Sequence, residues 1–540
     1  MKNTKFIKFI FSFLLVVTLL LPTTSYAYPP QVNQLSYVAL GDSLAAGYTP
    51  YQSIDKGYPD YVKEALYNLG YEVTLNKDFA VGGYTTANVL ADMQVPDVQP
   101  AISQADIITI SAGGNDLLSQ LEITQTGVTL DPTKVPSILN NIATNLTGIV
   151  TSIKTLNPDA QIYLMGYFNA MPYLPVEQQQ QLLPILEQIN GIIEAVALQS
   201  GSTFVPTFDV IAENTLEYLP NPQDVHLSLT GYQAIAGEFI QAMVANLPAL
   251  EKISNRVFGS DRYETSAAIS SSGWPTADTV IIASGEDFAD GLSGAPLSYK
   301  LDAPLLLTQS HTLPTVIKNE IIRLGASNAI ILGGNVAVSD DVFNQLEDLE
   351  LNVRRIAGAN RYETAANIAL EIGSNADSAI LINGEAFADG TAVASFAAQL
   401  GYPILFTKKD ILPVETSNII DGLTNIIAVG GTDVISDELL GQLPNKTRID
   451  GKNRFDTAIE VIKHFGYEKH TAYVANGFGF ADALTGSVLA AKHDSPIILV
   501  SSSSIPEEVS NYLSQKIITE YIFFGGSSAI EDSLLIDILQ

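Results

Sequence analysis

Cysteine is absent from the 540 residues, so neither a disulfide framework nor a zinc–thiolate site supports this chain. Basic side chains are scarce: 27 Lys and Arg stand against 58 Asp and Glu, a net charge of −31. So acidic a chain repels a phosphate backbone, which argues against nucleic acid as a partner and favours solubility. Histidine is rarer still, five in all, and only His226 lies in the first 250 residues. Apolar runs long enough to cross a bilayer are missing after residue 21. No cofactor or metal is called for by any motif.

What is present begins with Lys2, Lys5 and Lys8, an apolar run from Phe9 to Leu21, and small residues at Ser25-Tyr26-Ala27. This pattern predicts a secretory signal over residues 1–27 and an exported protein without a transmembrane segment after cleavage. Without the three lysines of that segment the charge becomes −34. The rest is too long for one core and predicts several domains.

Residues 33–248 read as the first. Apolar, partly β-branched runs at Tyr37–Leu40, Tyr71–Leu75, Asp106–Ser111, Gln161–Gly166 and Thr203–Phe208 suit strands covered on both faces. Helical patterns near Tyr58–Leu69, Lys134–Leu156, Glu177–Leu198 and Leu229–Asn246 alternate with them. The alternation predicts an α/β unit with a parallel, doubly wound sheet and a ligand site at the carboxyl ends of its strands. Three of those ends carry distinctive residues: Gly41-Asp42-Ser43, Ala80-Val81-Gly82-Gly83 and Gly113-Gly114-Asn115-Asp116. Each alone suits a tight turn. Together they offer a nucleophile in Ser43 and three donors for an oxyanion: the N–H of Ser43, the N–H of Gly83 and the amide of Asn115. A base is available in His226, with Asp224 to orient it, just before a capped helix at Leu227-Ser228-Leu229-Thr230-Gly231-Tyr232. Asp42 and Asp116 are assigned to the turns rather than to proton transfer. No G-x-S-x-G elbow occurs, which disfavours the ordinary α/β-hydrolase arrangement.

Gly41-Asp42-Ser43-Leu44, Gly83, Gly113-Gly114-Asn115-Asp116 and His226 fall in the order of the four blocks that name the SGNH, or GDSL, hydrolases. Residues 36–245 resemble that family. The resemblance implies a flavodoxin-like three-layer α/β/α sandwich with a five-stranded parallel sheet, and ester hydrolysis through an acyl-serine. The family's last block is D-x-x-H, whereas here Gln223 holds the third position before His226 and Asp224 the second.

The second half repeats itself. Arg256-Val257-Phe258-Gly259-Ser260-Asp261-Arg262-Tyr263-Glu264-Thr265 returns from Arg355 and again from Arg448, at steps of 99 and 93 residues. Asp287-Phe288-Ala289-Asp290-Gly291 returns at 386–390 and 479–483, and each unit closes on a glycine pair: Gly333-Gly334, Gly430-Gly431 and Gly525-Gly526. Strand candidates such as Thr279–Ala283, Pro304–Thr308 and Ala329–Leu332 predict three Rossmann-like α/β modules, over 253–350, 351–445 and 446–540, joined to the first domain by a short linker at about 248–255. None has a full G-x-G-x-x-G, which speaks against nucleotide binding. The recurring Arg and Asp admit two readings. Arg262 with Asp290, Arg361 with Asp389 and Arg454 with Asp482 are either ligand contacts or ion pairs inside each unit.

These modules are similar to the type-2 cell-wall-binding repeats of Gram-positive surface proteins. That resemblance implies a pseudo-threefold group of three, held without a covalent link on wall polysaccharide. The expectation is therefore a secreted, wall-associated serine esterase or lipase whose substrate is an acyl lipid or an acetylated glycan. Its alternatives are a carbohydrate esterase that removes acetyl groups and a surface protein with a decayed hydrolase domain.

Overall fold

A computed structural model describes residues 33–124, 127–373, 377–467 and 469–539; the expected secretory signal lies outside them. The described chain divides into two compact units that meet in sequence between Glu251 and Lys252. Among the described residues no helix is long and apolar enough to cross a membrane.

In the first unit the strands β1 (Gln34–Gly41), β2 (Glu72–Asn76), β3 (Ile107–Ser111), β4 (Gln161–Met165) and β5 (Thr203–Val205) form one parallel sheet in the order 2-1-3-4-5. This is the flavodoxin-like order, with its switch point beside β1. Tyr37 lies opposite Leu75 on one side and Ile107 on the other. Every residue of β3 is buried, as expected of a strand covered on both faces. β5 is shorter than its apolar run because Pro206 follows and cannot donate to the ladder; Phe208 already opens a helix.

Helices Tyr58–Asn68 and Leu229–Met243 pack together on one face. Helices Thr86–Asp92, Val135–Leu156 and Val176–Ser200 pack on the other. Periodicity explains the contacts. Ile138, Ile142, Leu146, Ile149 and Ile153 recur every three or four residues and are buried. On the first face the rings of Tyr58 and Phe239 stack with centroids 4.6 Å apart.

The second unit holds three four-stranded parallel sheets. The first runs Leu305–Thr308, Thr279–Ser284, Asn328–Leu332, Asn352–Ile356. Its fourth strand precedes the Arg361 motif and so comes from the start of the next sequence repeat. The second sheet likewise takes Lys446–Ile449. The third sheet is completed by Ile253–Val257 from the start of the first repeat, which pairs in parallel with Glu520–Phe524. Sequence repeats and folded sheets are thus out of phase by one strand, and the three close into a cycle. The expected linker therefore ends inside a strand at Ile253.

Candidate active site

The first site grows from the end of β1. Gly41 has φ +134°, and a Cβ there would lie 2.1 Å from the Ser111 carbonyl oxygen, so the turn admits only glycine. Asp42 caps the short helix Ser43–Ala46 by accepting from the Leu44 N–H at 3.0 Å. Its carboxylate also accepts from the hydroxyls of Ser111 at 2.9 Å and Tyr167 at 2.6 Å. Burial raises the Asp42 pKa, and the hydrogen bonds from Tyr167, Leu44 and Ser111 pull it back down. All of these partners belong to the protein, so this carboxylate fixes the turn that carries Ser43.

Ser43 and His226 meet here although 183 residues separate them: Ser43 Oγ lies 2.8 Å from His226 Nε2. His226 Nδ1 lies 2.6 Å from Asp224 Oδ1. The same oxygen accepts the backbone N–H of His226 at 2.8 Å. A spacing of two lets one carboxylate oxygen close an Asx-type turn and hold the ring of the same residue. That is how Asp224 reaches His226 one position nearer than D-x-x-H. The loop is tied down by Asn221 Nδ2, which donates to the Pro50 carbonyl at 2.8 Å. It runs into the helix capped by Ser228, whose Oγ accepts from the Gly231 N–H. The Tyr48 ring stacks on His226 with centroids 5.6 Å apart. The side chains of His226 and Asp224 are 18% and 19% exposed, shielded but open to a substrate.

Gly83 and Asn115 line the same cleft as Ser43 and His226. Gly83 has φ +83°. Asn115 Nδ2 donates one hydrogen to the Tyr84 carbonyl at 2.9 Å, which fixes the amide and leaves its second hydrogen for a ligand. Asp116 ties the two turns together by accepting from Thr86 N–H at 2.8 Å and Thr86 Oγ1–H at 2.6 Å. Tyr48, Ser111 and Tyr167 escape sequence reasoning, since none stands in a spacing that signals chemistry, and Thr86 is legible there only as a possible helix cap.

In the repeats one of the two readings, ion pairs inside each unit, is corrected. The arginine beside Asp290 is Arg361, which bonds Asp287 of the same repeat as Asp290 at 3.0 Å; the arginine beside Asp389 is Arg454, and that beside Asp482 is Arg262. Each pair therefore joins successive repeats, and the last joins the third back to the first. The physical reason lies around the local threefold axis. Phe288, Phe387 and Phe480 meet there with centroids 6.0–6.3 Å apart. Each guanidinium lies over a neighbour's ring: Arg361 over Phe288 at 5.5 Å, Arg454 over Phe387 at 5.7 Å, Arg262 over Phe480 at 5.5 Å. Each also donates to a glycine carbonyl of its own repeat, at Gly384, Gly477 and Gly285. Burial, helped by the nearby Asp287, pushes Asp290 up to about 6; burial also pushes Asp389 up to about 6 and raises Asp482, in each case against the pull of the neighbouring arginine. The glycine pairs make room for these carboxylates. A Cβ at Gly333, Gly430 or Gly525 would lie 2.1, 2.6 or 2.3 Å from the Oδ2 of Asp290, Asp389 or Asp482. The first arginine of each motif is a staple: Arg355 donates to the carbonyls of Gly333 and Val338, and Arg448 to those of Gly430 and Ile435.

Residues 39–234 match the GDSL-like lipase/acylhydrolase family, and residues 256–343, 355–440 and 448–535 match cell wall binding domain 2. Over 277 residues the chain is 38% identical to the N-acetylmuramoyl-L-alanine amidase LytC of Bacillus subtilis, covering 51% of this chain and 56% of that protein. It is 26% identical over 207 residues to the spore germination lipase LipC of Bacillus licheniformis, covering 37% of this chain and 93% of that one. The solved structure of Cwp6 from Clostridium difficile aligns with a TM-score of 0.51 at 29% identity, over 54% of this chain and 48% of that one. The chain thus spans about half the length of LytC and of Cwp6.

Proposed function

Because the chain belongs to the GDSL-like lipase/acylhydrolase family over residues 39–234 and carries three cell wall binding repeats after it, we propose that it is a secreted serine hydrolase of carboxylic esters held on a Gram-positive wall. The observation that carries this reading is the relay Ser43 Oγ, His226, Asp224, linked at 2.8 and 2.6 Å. Ser43 Oγ attacks the ester carbonyl while His226 Nε2 takes its proton. The tetrahedral oxyanion takes hydrogen bonds from the N–H groups of Ser43 and Gly83 and the free amide hydrogen of Asn115; losing one such donor costs about 10²–10³ in turnover. His226 then gives the proton to the leaving alcohol, and water repeats the sequence to release the acid. Asp224 keeps Nδ1 protonated and offsets the positive charge of the ring.

Ser43→Ala should abolish hydrolysis of p-nitrophenyl esters and labelling by a fluorophosphonate with circular dichroism unchanged; persistent turnover would reject the assignment. The intact relay also speaks against a decayed hydrolase. A second reading, removal of acetyl groups from wall glycan, is favoured by the three repeats alone. Acetate released from purified walls, against fatty acid released from lipid, separates the two. The full chain should sediment with Gram-positive walls whether or not Ser43 is replaced, and a chain left in the supernatant would remove the anchoring role. The inter-repeat contacts of Arg262, Arg361 and Arg454 support a structural role for these residues, with polysaccharide taken elsewhere on the repeats.

A further inference from the structure

We propose that one side of the cleft at Ser43 is an acyl-chain subsite, which makes esters of unbranched hydrocarbon acids, rather than acetyl esters, the substrate class; this rests on Ser43 being the nucleophile. The cleft encloses about 310 Å³. At ~30 Å³ for each water-sized group the whole cleft, catalytic end included, has room for roughly ten, more than an acetyl group with its carbonyl fills. Away from the serine its wall is hydrocarbon: Leu118 and Leu121 beyond Asn115, and Leu182, Leu183 and Leu186 on the helix Val176–Ser200. These leucines are only half-buried, and a bound chain would bury them. Among the described residues no Lys or Arg lines the cleft.

The polar groups on this side are few and bond mainly to one another and to the backbone. Asn169 Nδ2 donates to Gln179 Oε1 at 3.3 Å, and Asn169 Oδ1 accepts from the Met171 N–H. Gln179 Nε2 donates to the carbonyls of Pro172 and Leu174 at 2.8 Å each. Beyond the second amide hydrogen of Asn169, little there would replace the water that a sugar's hydroxyls lose, at a cost.

Topology decides which part of the ester enters. His226 must protonate the leaving alcohol, so the alcohol departs beside His226 and Tyr48, next to the helix Leu229–Met243. Leu182, Leu183 and Leu186 stand on the helix Val176–Ser200, which belongs to the opposite face of the sheet. With the carbonyl held between Ser43 and the oxyanion donors, the acyl chain points to the leucines and the alcohol away from them.

The test uses the full chain with p-nitrophenyl acetate and octanoate, and with ethyl octanoate against octyl acetate. We expect kcat/KM to rise by about two- to fourfold for each of the six added methylenes, an octanoate preference on the order of a hundredfold or more. Ethyl octanoate should be preferred to octyl acetate. Leu186→Trp, which fills the subsite, and Leu183→Gln, which makes it polar, should each lower octanoate hydrolysis at least about thirtyfold while acetate hydrolysis stays within about threefold. Acetate preferred by the wild type, octyl acetate preferred to ethyl octanoate, or an octanoate-to-acetate ratio unmoved in both folded variants would each overturn the proposal. Absence of all hydrolysis, with no fluorophosphonate labelling of Ser43, would instead mark failure of the underlying serine-hydrolase reading, and the subsite would fall with it.

Discussion

Asp224 offers the sharpest test of the relay, because one of its oxygens holds both the Nδ1 and the backbone N–H of His226, at 2.6 and 2.8 Å. Asp224→Asn keeps an oxygen in that position and removes only the negative charge. Two unit charges about 4 Å apart at an effective dielectric near 20 interact by ~4 kcal/mol. Both side chains are nearly one-fifth exposed, so solvent screening brings this to roughly 2–3 kcal/mol, a loss on the order of 10² in kcat. Asp224→Ala removes the ring's anchor as well and should cost about tenfold more. KM should change little, because the carboxylate does not line the cleft. Steady-state hydrolysis of a p-nitrophenyl ester measures both constants. An alanine variant within threefold of wild type would refute the reasoning. Adding Gln223→Asp to Asp224→Ala, which restores D-x-x-H, should not rescue turnover, since residue 223 is exposed in this loop.

Two further outcomes concern the repeats. A double-mutant cycle of Arg361→Ala with Asp290→Ala should give a coupling of about 1 kcal/mol or more, whereas Arg361→Ala with Asp389→Ala should be additive to within ~0.5 kcal/mol; the reverse would restore pairing within units. Asp290 and Asp389 have pKa values of about 6 against 3.8 for an ordinary Asp, so between pH 4 and 6 the folded state binds more protons than the unfolded one. Stability contributed there is lost as pH rises, and going from pH 7 to 5 should add up to ~1.3 kcal/mol per carboxylate. Calorimetry on the full chain should show that gain shrink in Asp290→Asn and Asp389→Asn; an equal gain in both variants would contradict it.

Much of the first unit was legible because its strands are buried on both faces and stand out as unbroken apolar runs, as at Ile107–Ser111. Ser43, Gly83, Asn115 and His226 were legible through four short blocks in a fixed order. The support under His226 was not, because a change of spacing says nothing about which loop shape absorbs it. Nor were Ser111 and Tyr167, which reach Asp42 from other strands' ends. In the repeats the sequence identifies the partners by type but not by copy. Arg and Asp recur at nearly the same step, so pairing within one unit and pairing with the next leave the same pattern. The fourth strand of each sheet was missed for a related reason: Asn352–Ile356 alternates exposed and half-covered residues at a sheet edge and lacks an apolar run.

The strand Ile253–Val257 has a consequence for copy number. An open array of repeats grows or shrinks by duplication at little cost, since each copy touches only its neighbours. Here the opening segment of the first copy fills the edge that the last copy leaves vacant, so a fourth copy would have to displace it and a lost copy would leave it without a place. Three is thereby built into the geometry as a subunit number is built into a closed ring.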